Sequence, residues 1–86
     1  MKVYDKPVEV VAYYKIDGSP RPLRFTVKED KNKFEVRGIV TQRIEEMRIK
    51  GKRILKFVCQ SVINNRLKIF ELRFSVENCK WTLFKI

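Results

Sequence analysis

The 86-residue chain contains no histidine, three glycines and two cysteines. Without histidine it lacks the commonest general base, the usual activator of serine and cysteine nucleophiles, and the usual nitrogen ligand of zinc. Gly18, Gly38 and Gly51 are too far apart to form a glycine-rich phosphate-binding loop. We therefore expect no catalytic residues, no metal site and no cofactor.

Long apolar runs are also missing. No stretch of about 18 apolar residues occurs, as a membrane-spanning helix would need, and the opening "MKVYDKPVEV" has no continuous apolar segment like that of a signal peptide. Cys59 and Cys79 are too few for a disulfide framework. These features predict a cytoplasmic protein without a membrane partner and with reduced thiols, although spacing alone does not exclude a Cys59–Cys79 bridge.

Acidic residues are outnumbered by basic ones, ten against twenty. Glu45 and Glu46 are the only adjacent glutamates, and on a strand they would face opposite sides and could not act together on one bond. The carboxylates are better interpreted as solvated partners of lysine and arginine. We expect that the protein is not an enzyme.

The net charge of +10 would attract polyanions. It is unevenly distributed, because residues 1–42 hold nine basic and six acidic residues whereas residues 43–86 hold eleven and four. A polyanion is thus expected to prefer the second half of the chain.

Apolar residues alternate with polar ones along most of the chain, which predicts β-strands in a single domain, residues 1–86. "VEVVAYYKI" is the first strand, and the turn "DGSPRP" separates it from the second, "LRFTVK", where Leu23, Phe25 and Val27 are expected to enter the core. The first strand should present one apolar face, formed by Val8, Val10, Ala12, Tyr14 and Ile16.

The third strand begins at Phe34 and is expected to continue to Ile49, with Gly38 as a bulge or point of close approach. Residues 40–49 also fit helical spacing, so a short helix competes with the continued strand there. The strand is preferred because alternation resumes on both sides of a turn at Lys50, Gly51 and Lys52.

Asn64 and Asn65 predict another tight turn, and "ENCK" a last one before the closing strand "WTLFKI". Within "RLKIFELRFSV" the apolar parity switches, which suggests a bulge near Ile69. The expected fold is all-β: an antiparallel six-stranded meander that closes into a barrel or forms a strongly bent sheet.

Basic and aromatic residues are the remaining chemical signal. Small β-domains bind single strands by placing basic residues around exposed aromatics on which bases stack. Phe57 shares the parity of Leu55 and Cys59 and is assigned to the core. The candidate nucleic-acid-binding residues are Arg43, Arg48, Lys50, Lys52, Arg53, Lys56, Arg66, Lys68, Arg73, Tyr13 and Trp81.

A different interpretation accounts for the same residues. A basic hairpin also keeps a surface soluble and protects edge strands from aggregation, and Tyr13 and Trp81 could cover an open end of the fold. The domain would then be a structural or protein-interaction module, including a homodimer paired through edge strands.

The segments "DGSPRPLRF", "KFEVRGIVTQRIEE", "IFELRF" and "KWTLFKI" together resemble an uncharacterised family of small bacterial β-domains over residues 8–86. The family has a Gly-x-Pro-x-x-Phe corner and a closing Trp-x-Leu strand, and some members are associated with translesion-type DNA polymerases. The resemblance implies a nucleic-acid context but no functional residues. The chain departs from the family at Ile44, where a tryptophan is common.

Overall fold

The computed structural model describes residues 1–86, which form seven β-strands and no helix. No helix is therefore present that could cross a membrane. The strands are β1 (Val3–Tyr14), β2 (Pro20–Glu29), β3 (Asn32–Val36), β4 (Val40–Ile49), β5 (Lys52–Ile63), β6 (Arg66–Ser75) and β7 (Lys80–Lys85).

All seven strands belong to one antiparallel sheet in the order β3-β2-β1-β7-β6-β5-β4. Strand β1 joins its two halves, because residues 3–8 pair with β7 whereas residues 9–14 pair with β2. The first and last strands of the chain are thus neighbours, and β3 and β4 are the two edges.

The short link between the edges forces the sheet to curl. Seven flat strands would hold β3 and β4 about 29 Å apart at a spacing of about 4.8 Å, but only residues 37–39 separate the two strands in the chain. Four Cα steps reach at most about 14 Å. The sheet must therefore roll until its edges approach each other.

Aromatic side chains fill the inside of the curl. Phe25 of β2 meets Phe70 of β6 edge-to-face, with ring centroids 5.3 Å apart. Trp81 of β7 lies 4.8 Å from Phe74 and 5.2 Å from Phe57, measured between centroids. Such pairs add about 0.5–1.5 kcal/mol each to the free energy of area burial, and the first pair joins the two halves of the sheet.

Two tight turns connect β4 to β5 and β5 to β6, and each consists of two residues. Lys50 and Gly51 both have positive φ, as do Asn64 and Asn65, which is the backbone that two-residue hairpin loops require. The turns predicted at Lys50–Lys52, at Asn64 and Asn65, and at "ENCK" are confirmed.

Residues 40–49 are strand and not helix, which confirms the preferred interpretation. The all-β antiparallel class is also confirmed, but the count of six strands is wrong, because the expected third strand is two, β3 and β4. Gly38 has φ +64° and lies in the link that breaks it. The sheet is not closed, so the barrel expectation is corrected to an open, curled sheet.

The expected core position of Leu23 is wrong. The β1–β2 register shifts between Val11 and Ala12, so that two residues of β2 oppose one step of β1. As a result Pro20 and Pro22 are buried, and Leu23 is exposed before burial resumes at Phe25. One extra residue in a strand is enough to switch the core-facing side chains between odd-numbered and even-numbered positions.

Two further details of the alternation differ from expectation. Ile16 lies beyond the end of β1 and is fully exposed, because the strand ends at Tyr14. The bulge predicted near Ile69 is absent from the β5–β6 pairing, whose register runs unbroken from Ser75 to Arg66. Strand β6 is irregular only in its pairing with β7, where the register shifts between Glu71 and Leu72. The parity switch in β6 therefore means that polar residues change faces along a strand that keeps its register with β5.

The two cysteines are free, Cys59 buried and Cys79 exposed, so the expectation of unpaired thiols is confirmed. Burial raises the pKa of the Cys59 thiol to about 11 from 9.0. Because thiolate forms more easily in the unfolded chain, we expect Cys59 to lower the free energy of unfolding progressively between about pH 9 and pH 11.

The Cys59 environment predicts the accessibility of the thiols. At pH 8 a disulfide reagent such as DTNB should react with Cys79 alone in the native protein and with both thiols in denaturant. The Cys79→Ser variant should then show no fast native reaction. Fast modification of native Cys79→Ser would contradict the packing of Cys59.

Candidate nucleic-acid cleft

The curl brings two unpaired strand edges face to face. Strand β3 pairs with β2 only from Phe25 onward, so Pro20–Arg24 has no strand on its outer side. Strand β4 also has no neighbour on its outer side. A single backbone hydrogen bond links these edges, from the amide of Ile39 to the carbonyl of Leu23 at 3.3 Å. Beyond that bond, the gap between them is open.

This gap is a surface cleft of about 580 Å³, called here the β2–β4 cleft. Its charged members are two arginines, and no carboxylate lines it. Its lining residues are Tyr13, Arg21, Pro22, Leu23, Ile39, Thr41, Gln42, Arg43 and Ile44.

Tyr13 and Arg21 form one wall of the cleft. They lie directly opposite each other in the β1–β2 pair, so their side chains point to the same face. The Tyr13 side chain is exposed, with 52% of the residue accessible. The Arg21 guanidinium donates to the carbonyl of Pro20 at 2.8 Å, which leaves other N–H groups free for an anion.

Arg43 stands on the opposite wall, on β4. The β4–β5 register shifts between Thr41 and Arg43, which leaves Gln42 as the extra residue of a bulge beside the cleft. Arg43 forms an ion pair with Glu45 at 2.7 Å, but both side chains are largely exposed. An exposed pair of this kind is weak, so Arg43 can exchange Glu45 for a ligand anion.

Four candidates lie together at the β4–β5 hairpin tip: Arg48, Lys50, Lys52 and Arg53. Two carboxylates offset part of their charge. Arg53 binds Glu46 at 2.9 Å, and its amide donates to Glu77 at 3.2 Å, which together with the nearby arginines holds the pKa of Glu77 below its ordinary value. The tip is therefore basic, but part of its charge is offset by protein carboxylates.

Lys56 and Arg73 lie directly opposite each other on the sheet face that points away from the core. Between them is Glu71, which is only 2% exposed and whose carboxylate lies 2.6 Å from Arg73 and 3.8 Å from Lys56. The Arg73 guanidinium also stacks 3.4 Å above the ring centroid of Phe84. These two candidates are therefore held by protein partners.

The remaining candidates are divided between surface and interior. Arg66 and Lys68 lie at the β5–β6 hairpin end and are exposed. Trp81 is buried between Phe57 and Phe74, with 8% of the residue accessible, so it is not available as an exposed stacking aromatic. The predicted residues thus occupy four separate surface places and, for Trp81, the core, so they do not form one continuous surface.

Arg21 is the residue of the cleft that sequence reasoning missed. It belongs to the less basic half of the chain, and its position beside β4 depends on the curl of the sheet. The two prolines around it signalled a corner, but no periodicity connects residues 21 and 43.

No family model matches the chain, and no curated protein or solved structure matches it either. The structure also contains no group of three or more histidine, cysteine, aspartate or glutamate side chains that could hold a metal ion.

Substitution of Glu71 tests whether Lys56 and Arg73 stabilise the fold, whereas Arg43 is free to bind a ligand. The free energy of unfolding distinguishes the two cases. Glu71→Ala leaves two cations without their shared buried carboxylate, and removal of one member of a buried ion pair costs about 3 kcal/mol or more. Glu45→Ala removes an exposed partner and should cost less than about 1 kcal/mol. Urea unfolding measures both, and equal losses would contradict the structural role of Lys56 and Arg73.

Proposed function

We propose that this domain is a non-enzymatic cytoplasmic module that binds single-stranded nucleic acid in the β2–β4 cleft. One observation carries the proposal: the cleft combines an exposed tyrosine, Tyr13, with two arginines, Arg21 and Arg43, and contains no carboxylate. Each kind of group has a partner in a nucleic acid.

The aromatic ring and the guanidinium groups would have different tasks. A base released from a duplex stack can lie on the Tyr13 ring, and such stacking tolerates any sequence because every base has a flat π-face. Arg21 and Arg43 would contact phosphates on either side of it, with the planar donor geometry that suits phosphate oxygens. A base paired inside a duplex cannot reach the ring, which favours single strands.

The open strand edges add hydrogen-bonding capacity. The outer backbone groups of β4 have no strand partner, and Thr41 and Gln42 also line the cleft. These groups can bond to base edges or sugars without requiring one particular base. Affinity would then come mainly from charge and stacking, with little sequence preference.

The charge of the whole chain supports encounter with a polyanion. A net charge of +10 on 86 residues raises the association rate with nucleic acid and makes binding sensitive to salt. The hairpin tip would contribute in this way at a distance. The resemblance to β-domains associated with DNA polymerases is compatible with such a role.

The other interpretation is a protein-interaction module or a homodimer paired through edge strands. In that case β4 would be the strand that pairs with the partner. That edge is free over ten residues. It also carries a bulge at Gln42 and four charged side chains, which are features that oppose edge-to-edge pairing. The charged residues are Arg43, Glu45, Glu46 and Arg48. The nucleic-acid proposal is therefore preferred.

Removal of the two cleft arginines should lower the affinity for single-stranded nucleic acid and make that affinity depend less on salt concentration. For a labelled oligothymidylate of about 12 nucleotides, Arg21→Gln/Arg43→Gln should make the slope of log K against log salt less steep by about 1.4, because each phosphate contact on a single strand contributes about 0.7. Fluorescence anisotropy at several salt concentrations measures the slope.

The matched control removes two positive charges elsewhere. Lys31→Gln/Lys33→Gln changes the β2–β3 hairpin, neither of whose lysines lines the β2–β4 cleft, and should leave the slope unchanged. Equal effects of the two double variants would mean that only total charge matters. Absence of wild-type binding at low salt and micromolar protein would refute the proposal.

Two adjacent tyrosines allow a test of stacking. Tyr13 lines the β2–β4 cleft, whereas Tyr14 is similarly exposed but does not. Tyr13→Ala should weaken oligothymidylate binding by about 1–3 kcal/mol, the cost of losing one stacked base, and Tyr13→Phe should retain most of it. Tyr14→Ala is the control and should bind like the wild type. A similar loss in both alanine variants would argue against specific stacking on Tyr13.

A further inference from the structure

The usual polarity of the sheet is inverted at the β5–β6 hairpin end. Phe70 and Leu72 define the parity of β6 that faces the core. Because side chains alternate between the two faces of a strand, Lys68 and Arg66 point to the same side of the sheet as Phe70 and Leu72. In the unbroken β5–β6 register, the residues on this side pair as Leu72 with Phe57, Phe70 with Cys59, Lys68 with Ser61 and Arg66 with Ile63. The same side of one strand thus changes from buried apolar residues to two cations.

The opposite face shows the complementary change. Leu67 and Ile69 of β6 and Val62 of β5 point away from the core and are exposed. Leu67 and Val62 are direct cross-strand neighbours. A domain without a ligand would be expected to have the reverse arrangement, with these apolar residues inside and the cations outside. The inversion therefore indicates a task for the two cations on the inner side.

A second cleft, of about 570 Å³, lies at this place and is called here the β3–β6 cleft. Arg66 and Lys68 line it together with Phe34 of β3. Phe34 shares its strand parity with the buried Val36, yet the residue is 44% exposed because it stands at the rim of the core. The cleft thus repeats the combination found in the first one, an accessible aromatic ring beside two cations.

The charges in this cleft are available to a ligand. Neither Arg66 nor Lys68 forms an ion pair. Glu35 is the one acidic side chain that lines the cleft, and it is already engaged by Arg37 at 2.7 Å and approached by Arg24 at 3.7 Å. The two cations of β6 are therefore left without an acidic side-chain partner.

The two clefts are close together along the chain. Glu35 lines the β3–β6 cleft and Ile39 lines the β2–β4 cleft, and four Cα steps separate these residues by at most about 14 Å. The link is fixed to the core, because Ser61 donates a hydrogen bond to the carbonyl of Arg37 and Ile39 packs against the buried cluster. The relative position of the clefts is therefore set by the fold.

We infer that the β3–β6 cleft is a second contact for the same single strand, with a base on Phe34 and phosphates on Arg66 and Lys68. This inference rests on the proposed function of the β2–β4 cleft. A strand that crosses the 37–39 link would engage both clefts at once, and the second contact would act at the high effective concentration created by the first. A footprint of about 4–16 nucleotides is typical for one small β-domain.

The experiment compares oligothymidylates of about 4 and about 12 nucleotides, both within the footprint of about 4–16 nucleotides typical of one small domain. The wild type should bind the longer strand at least tenfold more tightly. Arg66→Gln/Lys68→Gln should lose most of that gain, and Phe34→Ala should lose part of it, while Phe34→Tyr retains it. The control Lys31→Gln/Lys33→Gln should keep the full gain, and thermal unfolding confirms that each variant is folded.

The outcomes separate this inference from the proposal on which it rests. If Arg66→Gln/Lys68→Gln binds the longer strand like the wild type while Arg21→Gln/Arg43→Gln does not, the second contact is refuted and the first cleft stands. If the wild type binds neither strand, the proposed function itself fails. Displacement of the longer strand by polyglutamate at equal charge concentration would overturn the nucleic-acid assignment in favour of an acidic protein partner.

Discussion

The three residues that join β3 to β4 set the geometry of this domain. They connect the two edges of a seven-stranded sheet, so the sheet has to curl until those edges are within reach of the link. The curl encloses the aromatic core, in which Phe25 from one half of the sheet meets Phe70 from the other. Ser61 and the packing of Ile39 hold the link against that core.

The same constraint produces the clefts. The edges approach closely at the link, where Ile39 bonds to Leu23, but they diverge beyond it and the sheet stays open. Pro20 and Pro22 have no amide donor, so this part of β2 offers fewer hydrogen bonds to any neighbour. An open gap with arginine on both walls is therefore a consequence of the fold, and it gives a basic chain a defined place for an extended anionic strand.

The sequence predicted the features that depend on local pattern. Alternation predicted the strands, and Lys50–Gly51 and Asn64–Asn65 predicted turns whose positive φ the structure confirms. It could not predict the break at residues 37–39 or the position of Arg21 beside β4, because both depend on contacts between distant segments. The parity switch near Ile69 predicted a bulge, but β6 keeps its register with β5 there, and its pairing shifts only against β7, between Glu71 and Leu72. Trp81 looked accessible, but two phenylalanines enclose it.

A nuclear magnetic resonance titration of the labelled protein with oligothymidylate tests the central claim most directly, because it shows where the ligand lies. The account predicts that backbone amide shifts concentrate at Tyr13, Arg21, Leu23 and Arg24, at residues 39–44, and around the second contact at Phe34, Arg66 and Lys68. Few changes are expected at the hairpin tip around Lys50. Shifts confined to the tip, or spread evenly over all basic surfaces, would contradict the assignment of binding to the cleft between β2 and β4.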